Sequence, residues 1–180
     1  MLLSLLINRF RNSFLRPRQL RKSSAVVRQS HEFASPIVEA YEERISWDGG
    51  GGDLLWSNSQ NWSGDQLPGP SDDVTVDTPA GAVVNYDANV TTVIRSLNLL
   101  DSIRISQGSL TVQQDLSSDS GVTLTVNGSS SHFNAASEDE LLGLSVIVGA
   151  GGTALFPAVT QYRSNNSTTA TLRASGAGSV

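Results

Sequence analysis

Cysteine is absent from all 180 residues. That excludes disulfides, thiolate metal ligands and a thiol nucleophile, while leaving the compartment open. Lysine is missing from Ser46 onward, where the basic residues are Arg95, Arg104, Arg163 and Arg173 alone. Against them stand thirteen carboxylates: ten Asp from Asp48 to Asp119, then Glu138, Asp139 and Glu140. Such a surface repels nucleic acid, whose binding needs clustered Lys and Arg. The two histidines, His31 and His132, have no spaced partner for zinc or for a triad, and no G-x-S-x-G elbow occurs. No apolar run approaches the ~20 residues a membrane-spanning helix requires. A hydrophobic share of 38% with 6% aromatics argues against one large core.

What is present divides unevenly along the chain. Residues 1–34 form a basic leader, in which Arg9, Arg11, Arg16, Arg18, Arg21, Lys22 and Arg28 precede the first acid, Glu32. Leu3, Ile7, Phe10 and Phe14 recur at helical spacing, so the leader reads either as an Arg-rich amphipathic helix contacting a membrane or export machinery, or as an unfolded address. Over residues 35–46, a capping Ser35, Pro36 at the first helical position and Ile37, Tyr41 and Ile45 at every fourth place predict a short helix ending near Arg44 or Ile45. The four glycines Gly49 to Gly52 then forbid helix, and the domain boundary is placed there. Residues 47–73 make a Trp/Gly-rich segment.

Over residues 74–180 the pattern is short β runs separated by Gly, Ser, Asn and Asp: 74–76, 82–86, 103–105, 110–112, 122–126 and 144–148. Val84, Ile105, Val126 and Val148 lie 21, 21 and 22 residues apart, and Val112, Phe133 and Leu155 step by 21 and 22. A strand recurring at fixed phase about every 20 residues marks a coil that stacks on its neighbours. The expected fold is therefore an all-β, right-handed parallel β-helix, or β-solenoid, with a Trp/Gly-rich N-terminal cap. An antiparallel β-sandwich is the alternative. The glycines of Val146 to Ala154 imitate a dinucleotide fingerprint. They lack the following helix and the later acidic residue, and read as a tight turn between rungs.

Two stretches carry a family resemblance. Glu39-Ala40-Tyr41-Glu42-Glu43-Arg44-Ile45 resembles, in degenerate form, the LEPR-XLL motif near the N-terminus of large exported bacterial proteins. Trp47-Asp48-Gly49-Gly50-Gly51-Gly52-Asp53, with Trp56-Ser57, Asn61-Trp62, Leu67-Pro68-Gly69 and Asp72-Asp73-Val74, is similar to the module that opens β-helical repeat regions in autotransporter-like surface proteins. The resemblance spans roughly residues 36–112. It implies export, a secreted or cell-surface location, a β-solenoid and a surface role, within a longer protein.

The sites that follow are few. Trp47, Trp56 and Trp62 are expected to cap the first rung; alternatively they form a platform on which sugars stack. Asp48 and Asp53 flank the glycines, and Asp72, Asp73 and Asp77 crowd one turn, so calcium is the only cofactor they suggest; solvated turn aspartates are the default. The leading function is a non-enzymatic structural or adhesive module meeting extracellular polysaccharide or other surface proteins. The alternative, a carbohydrate-active β-helix lyase or hydrolase, requires Asp87 or Asp101 to face Arg95 or Arg104 across a groove. The last residues read as an unfinished rung, so self-association or fraying is expected at the C-terminal end.

Overall fold

The computed structural model describes residues 44–164 and 169–180. The leader, His31 and most of the helix expected over residues 35–46 lie outside the described residues. The end of that segment corrects the expectation: Arg44–Ser46 is a strand, β1, with Ile45 buried at its centre. The helical spacing of Ile37, Tyr41 and Ile45 does not govern Ile45, because the ladder to a later strand recruits it.

Successive coils each contribute three short strands. The first is β2 (Asp73–Val76), β3 (Val84–Tyr86) and β4 (Thr91–Ile94); the second is β5 (Ser96–Leu99), β6 (Ile103–Ile105) and β7 (Gly108–Val112). The third is β8 (Leu116–Ser118), β9 (Thr123–Asn127) and β10 (Ser131–Ala135), and the fourth β11 (Glu140–Leu142), β12 (Ser145–Gly149) and β13 (Thr153–Leu155). Strands β14 (Gln161–Arg163) and β15 (Leu172–Ser175) open another. Strands of like position stack into three faces: β1-β2-β5-β8 with β11-β14 beyond, β3-β6-β9-β12-β15, and β4-β7-β10-β13. Every ladder is parallel. The chain is thus a parallel β-helix of about four turns, and the antiparallel sandwich is excluded.

Alternation explains why these residues stack. Each strand turns one residue in two inward, and the register aligns them into columns such as Val84, Ile103, Leu124 and Val146, all at most 1% exposed. Burying each such side chain contributes about 1.5–3 kcal/mol, repeated at every rung. The next column is Tyr86, Ile105, Val126 and Val148. Tyr86, not Val84, is therefore the neighbour of Ile105. The second series is also out of phase: Val112 pairs with Ala135, Phe133 with Leu110 and Ala154, and Leu155 with Asn134. The corners between strands absorb variable numbers of residues, so a constant step misplaces partners by one or two residues. The Gly149-Ala150-Gly151 turn joins β12 to β13, two faces of one coil, rather than one rung to the next.

The Trp/Gly-rich segment lies over the first coil. Because β1 pairs with β2, residues 47–72 form an enlarged turn between them, ahead of β2, β3 and β4. Its tip adds a short strand to the second face: Leu55 bridges Asn85, with Asn85 N–H on the Leu54 carbonyl at 2.8 Å and Trp56 N–H on the Asn85 carbonyl at 2.9 Å. At the far end Leu172 and Val180 are 64% and 67% exposed. Among the described residues no helix is long and apolar enough to cross a membrane.

Candidate functional site

The first face bears the most developed polar surface. Its outward positions fall between inward aliphatics, as in Val74-Thr75-Val76 and Leu97-Asn98-Leu99. Stacking aligns Ser46, Thr75, Asn98 and Ser117 into one ladder, and Arg44, Asp73 and Ser96 into a second. All of these but Ser46, together with Asp115, line a shallow groove of about 300 Å³. Ser117 Oγ donates to Asn98 Oδ1 at 2.8 Å, so adjacent rungs share hydrogen bonds along the ladder. Arg95 reaches across the groove edge to Asp73, its Nε donating to Oδ1 at 2.8 Å and its Nη2 to Oδ2. Burial pushes the Asp73 pKa upward, but the hydrogen bonds from Arg95 and Ser96 and the charges of Arg95 and Arg44 outweigh it and hold the carboxylate below its usual range. A carboxyl held ionised in this way is a poor proton donor near neutral pH.

A second cleft, of about 280 Å³, lies where the first-face ladder breaks between β8 and β11. Glu138 Oε2 accepts the Leu116 backbone N–H at 2.7 Å, so a side chain satisfies a group that the ladder leaves over. Glu140 pairs with Arg163 at 3.1 Å on the exposed surface of the next rung.

The three tryptophans are brought together but turned inward. Trp47, Trp56 and Trp62 are 4%, 2% and 0% exposed. Trp62 meets Trp47 and Trp56 edge to face with ring centroids 5.1 and 4.5 Å apart, and Trp56 meets Tyr86 at 5.5 Å. The platform for sugar stacking is not formed, because the rings spend their faces on one another and on the first rung. Covering the apolar end is what their burial does accomplish.

The aspartates singled out for calcium are scattered among separate turns. Asp48 Oδ1 accepts from Gly50 N–H at 2.9 Å, and Asp72 Oδ2 from Gly69 N–H at 2.7 Å. Asp53 receives Leu55 N–H at 3.0 Å, Asn58 Nδ2 at 3.0 Å and Asn61 Nδ2 at 2.7 Å. Those bonds, the backbone one foremost, hold its pKa below the usual carboxylate range. Asp73 is occupied by Arg95, and Asp77 is exposed just past β2. Among the described residues no three His, Cys, Asp or Glu converge on a point where a metal would sit.

The residues required by the enzyme reading are likewise engaged elsewhere. Asp87 takes the Ser57 N–H at 3.1 Å and its hydroxyl at 2.8 Å, tying the Trp segment to the end of β3. Asp101 takes the Thr78 N–H at 2.6 Å and hydroxyl at 2.9 Å. Arg104 stands exposed on β6 between Asn85 and Thr125. His132 points outward from β10. The groove residues Thr75, Ser96, Asn98, Asp115 and Ser117 escape sequence reading because each is an ordinary polar residue. Only after the rungs are aligned do they form a row.

Comparison of the chain with protein-family models, with curated proteins and with solved structures finds no match.

Proposed function

We propose that this chain is a non-enzymatic structural or adhesive module of a secreted or cell-surface bacterial protein, a rigid β-solenoid spacer whose first face makes low-affinity contacts with extracellular polysaccharide or another surface protein. The observation carrying this reading is the ladder Ser46, Thr75, Asn98 and Ser117, which repeats hydroxyl and amide groups at the strand spacing of about 4.8 Å. Such a row offers donors and acceptors to a polyol without a deep pocket. The nearby carboxylate is neutralised by Arg95, which favours binding over proton transfer. The basic leader and the resemblance over residues 36–112 support export.

The test has two readouts on the full chain. A C-terminally tagged version expressed in an exporting bacterium should be digested by protease added to intact cells. The purified chain should co-sediment weakly with insoluble polysaccharide and lose that binding in a Thr75→Ala/Asn98→Ala variant. Release of new sugar reducing ends would favour the enzyme reading, and retention of the tag in the cytoplasm would defeat the surface reading.

A further inference from the structure

The outward row of the first face has a definite length. Thr75, Asn98 and Ser117 line the groove, and Ser46 continues their row onto β1. Beyond Ser117 the row stops, because the face breaks between β8 and β11. One residue of the row stands on each strand, so its polar groups are spaced by about 4.8 Å along the solenoid axis. Asn98 Oδ1 accepts the Ser117 hydroxyl at 2.8 Å, while the Thr75 hydroxyl and the Asn98 amide nitrogen have no partner among the described residues. These groups are therefore available to a ligand that repeats at the same interval.

Charge narrows the class of ligand. Arg44 and Asp115 in the groove, and the pair of Asp73 with Arg95, cancel to no net charge. Asp48, Asp77 and Asp119 each follow the row by two residues, after Ser46, Thr75 and Ser117, so its far side is acidic and repels a polyanion. We infer, resting on the first-face binding reading above, that the groove takes an uncharged, extended β-1,4-linked glycan laid along the solenoid axis, one sugar to each strand from Ser46 to Ser117. Such a chain advances by nearly one strand spacing per pyranose. It bears hydroxyls on both edges of every ring, so the row meets one at each step however successive rings are turned. An α-1,4-linked chain coils instead and leaves the register.

The experiment is the retention of β-1,4-linked glucose oligomers, two to eight sugars long, on the immobilised full chain. Retention should rise about threefold with each sugar up to four, the worth of roughly one net hydrogen bond per strand. Beyond four it should grow only with the number of ways a longer oligomer can be placed. Ser46→Ala, at an exposed position at the end of the row, should move that break from four sugars to three. Thr125→Ala, on the second face, should leave it at four, and both variants should match the parent by circular dichroism. α-1,4-linked glucose oligomers and uronate oligomers of equal length should be retained less. Equal retention of the α-1,4 series, stronger retention of the uronates, or a break that Ser46→Ala leaves in place would overturn the proposal. A chain that co-sediments with insoluble polysaccharide yet retains no β-1,4 oligomer would defeat this inference and leave the adhesive reading standing.

Discussion

The indole N–H of Trp62 donates to the backbone carbonyl of Trp56 at 2.9 Å while the two rings meet edge to face. One side chain thus satisfies a buried carbonyl and closes the aromatic cluster over the first rung. Trp62→Ala should lower stability by about 3–5 kcal/mol through the cavity it leaves. Trp62→Phe should cost less, about 1–3 kcal/mol, chiefly from the Trp56 carbonyl left without its donor. Urea unfolding of both variants checks the order; a Trp62→Phe variant as stable as the parent would mean that the hydrogen bond is immaterial.

Neighbouring residues on β9 separate the inside of the stack from the outside. Val126 is fully buried between Ile105 and Val148, while Thr125 is partly exposed between Arg104 and Ile147. Val126→Asp should cost more than about 4 kcal/mol, since the carboxylate is buried unpaired. Thr125→Asp should stay within about 0.5 kcal/mol, with Arg104 opposite to receive the charge. The two unfolding midpoints decide it.

Much of this was legible in the sequence, and the failures share a cause. Parallel strands, their inward residues and the burial of the tryptophans against the first coil follow from alternation, turn residues and the repeat. Partner identity does not, because corners of different length shift the register: Tyr86 replaces Val84 beside Ile105, and Ala135 replaces Phe133 beside Val112. Strands such as Leu116–Ser118 carry too few aliphatics to stand out alone and exist because neighbouring rungs hold them. Ile45 satisfies a helical period as well as a strand's, so the sequence alone does not separate β1 from the end of a helix. The groove was invisible because its residues acquire meaning only across rungs.

Two glycines of nearly equal φ separate backbone strain from lack of room. Gly64 (φ 77°) faces open space, whereas a Cβ on Gly108 (φ 76°) would lie 1.9 Å from the Ala88 carbonyl oxygen and 2.6 Å from that of Val90. Gly64→Ala should cost about 1–2 kcal/mol, the ordinary left-handed penalty. Gly108→Ala should cost about 4 kcal/mol or more, as the corner between β6 and β7 must move. Comparable thermal unfolding of the two would remove the steric argument.

Acid should unfold the protein in a defined window. The pKa values of Asp53 and Asp73 are lowered in the folded state, so their stabilisation is complete above the ordinary aspartate range near about pH 4 and is lost as pH falls through the lowered values. The urea midpoint should therefore decline below about pH 4, and Asp53→Asn should flatten part of that slope. A midpoint unchanged between roughly pH 5 and pH 2 would contradict the assignment.

The absence of cysteine permits the most direct test of the parallel stack. In the ladder between β9 and β12, Thr123 lies opposite Ser145 and Asn127 opposite Gly149. Cysteine pairs introduced at 123 with 145, and at 127 with 149, lie at a separation of about 4.8 Å, within reach of a disulfide. On mild oxidation of the monomer, both pairs should crosslink, while the crossed pairs 123 with 149 and 127 with 145 should stay reduced. An antiparallel arrangement predicts the reverse, and crosslinking of the crossed pairs alone would contradict the β-helix.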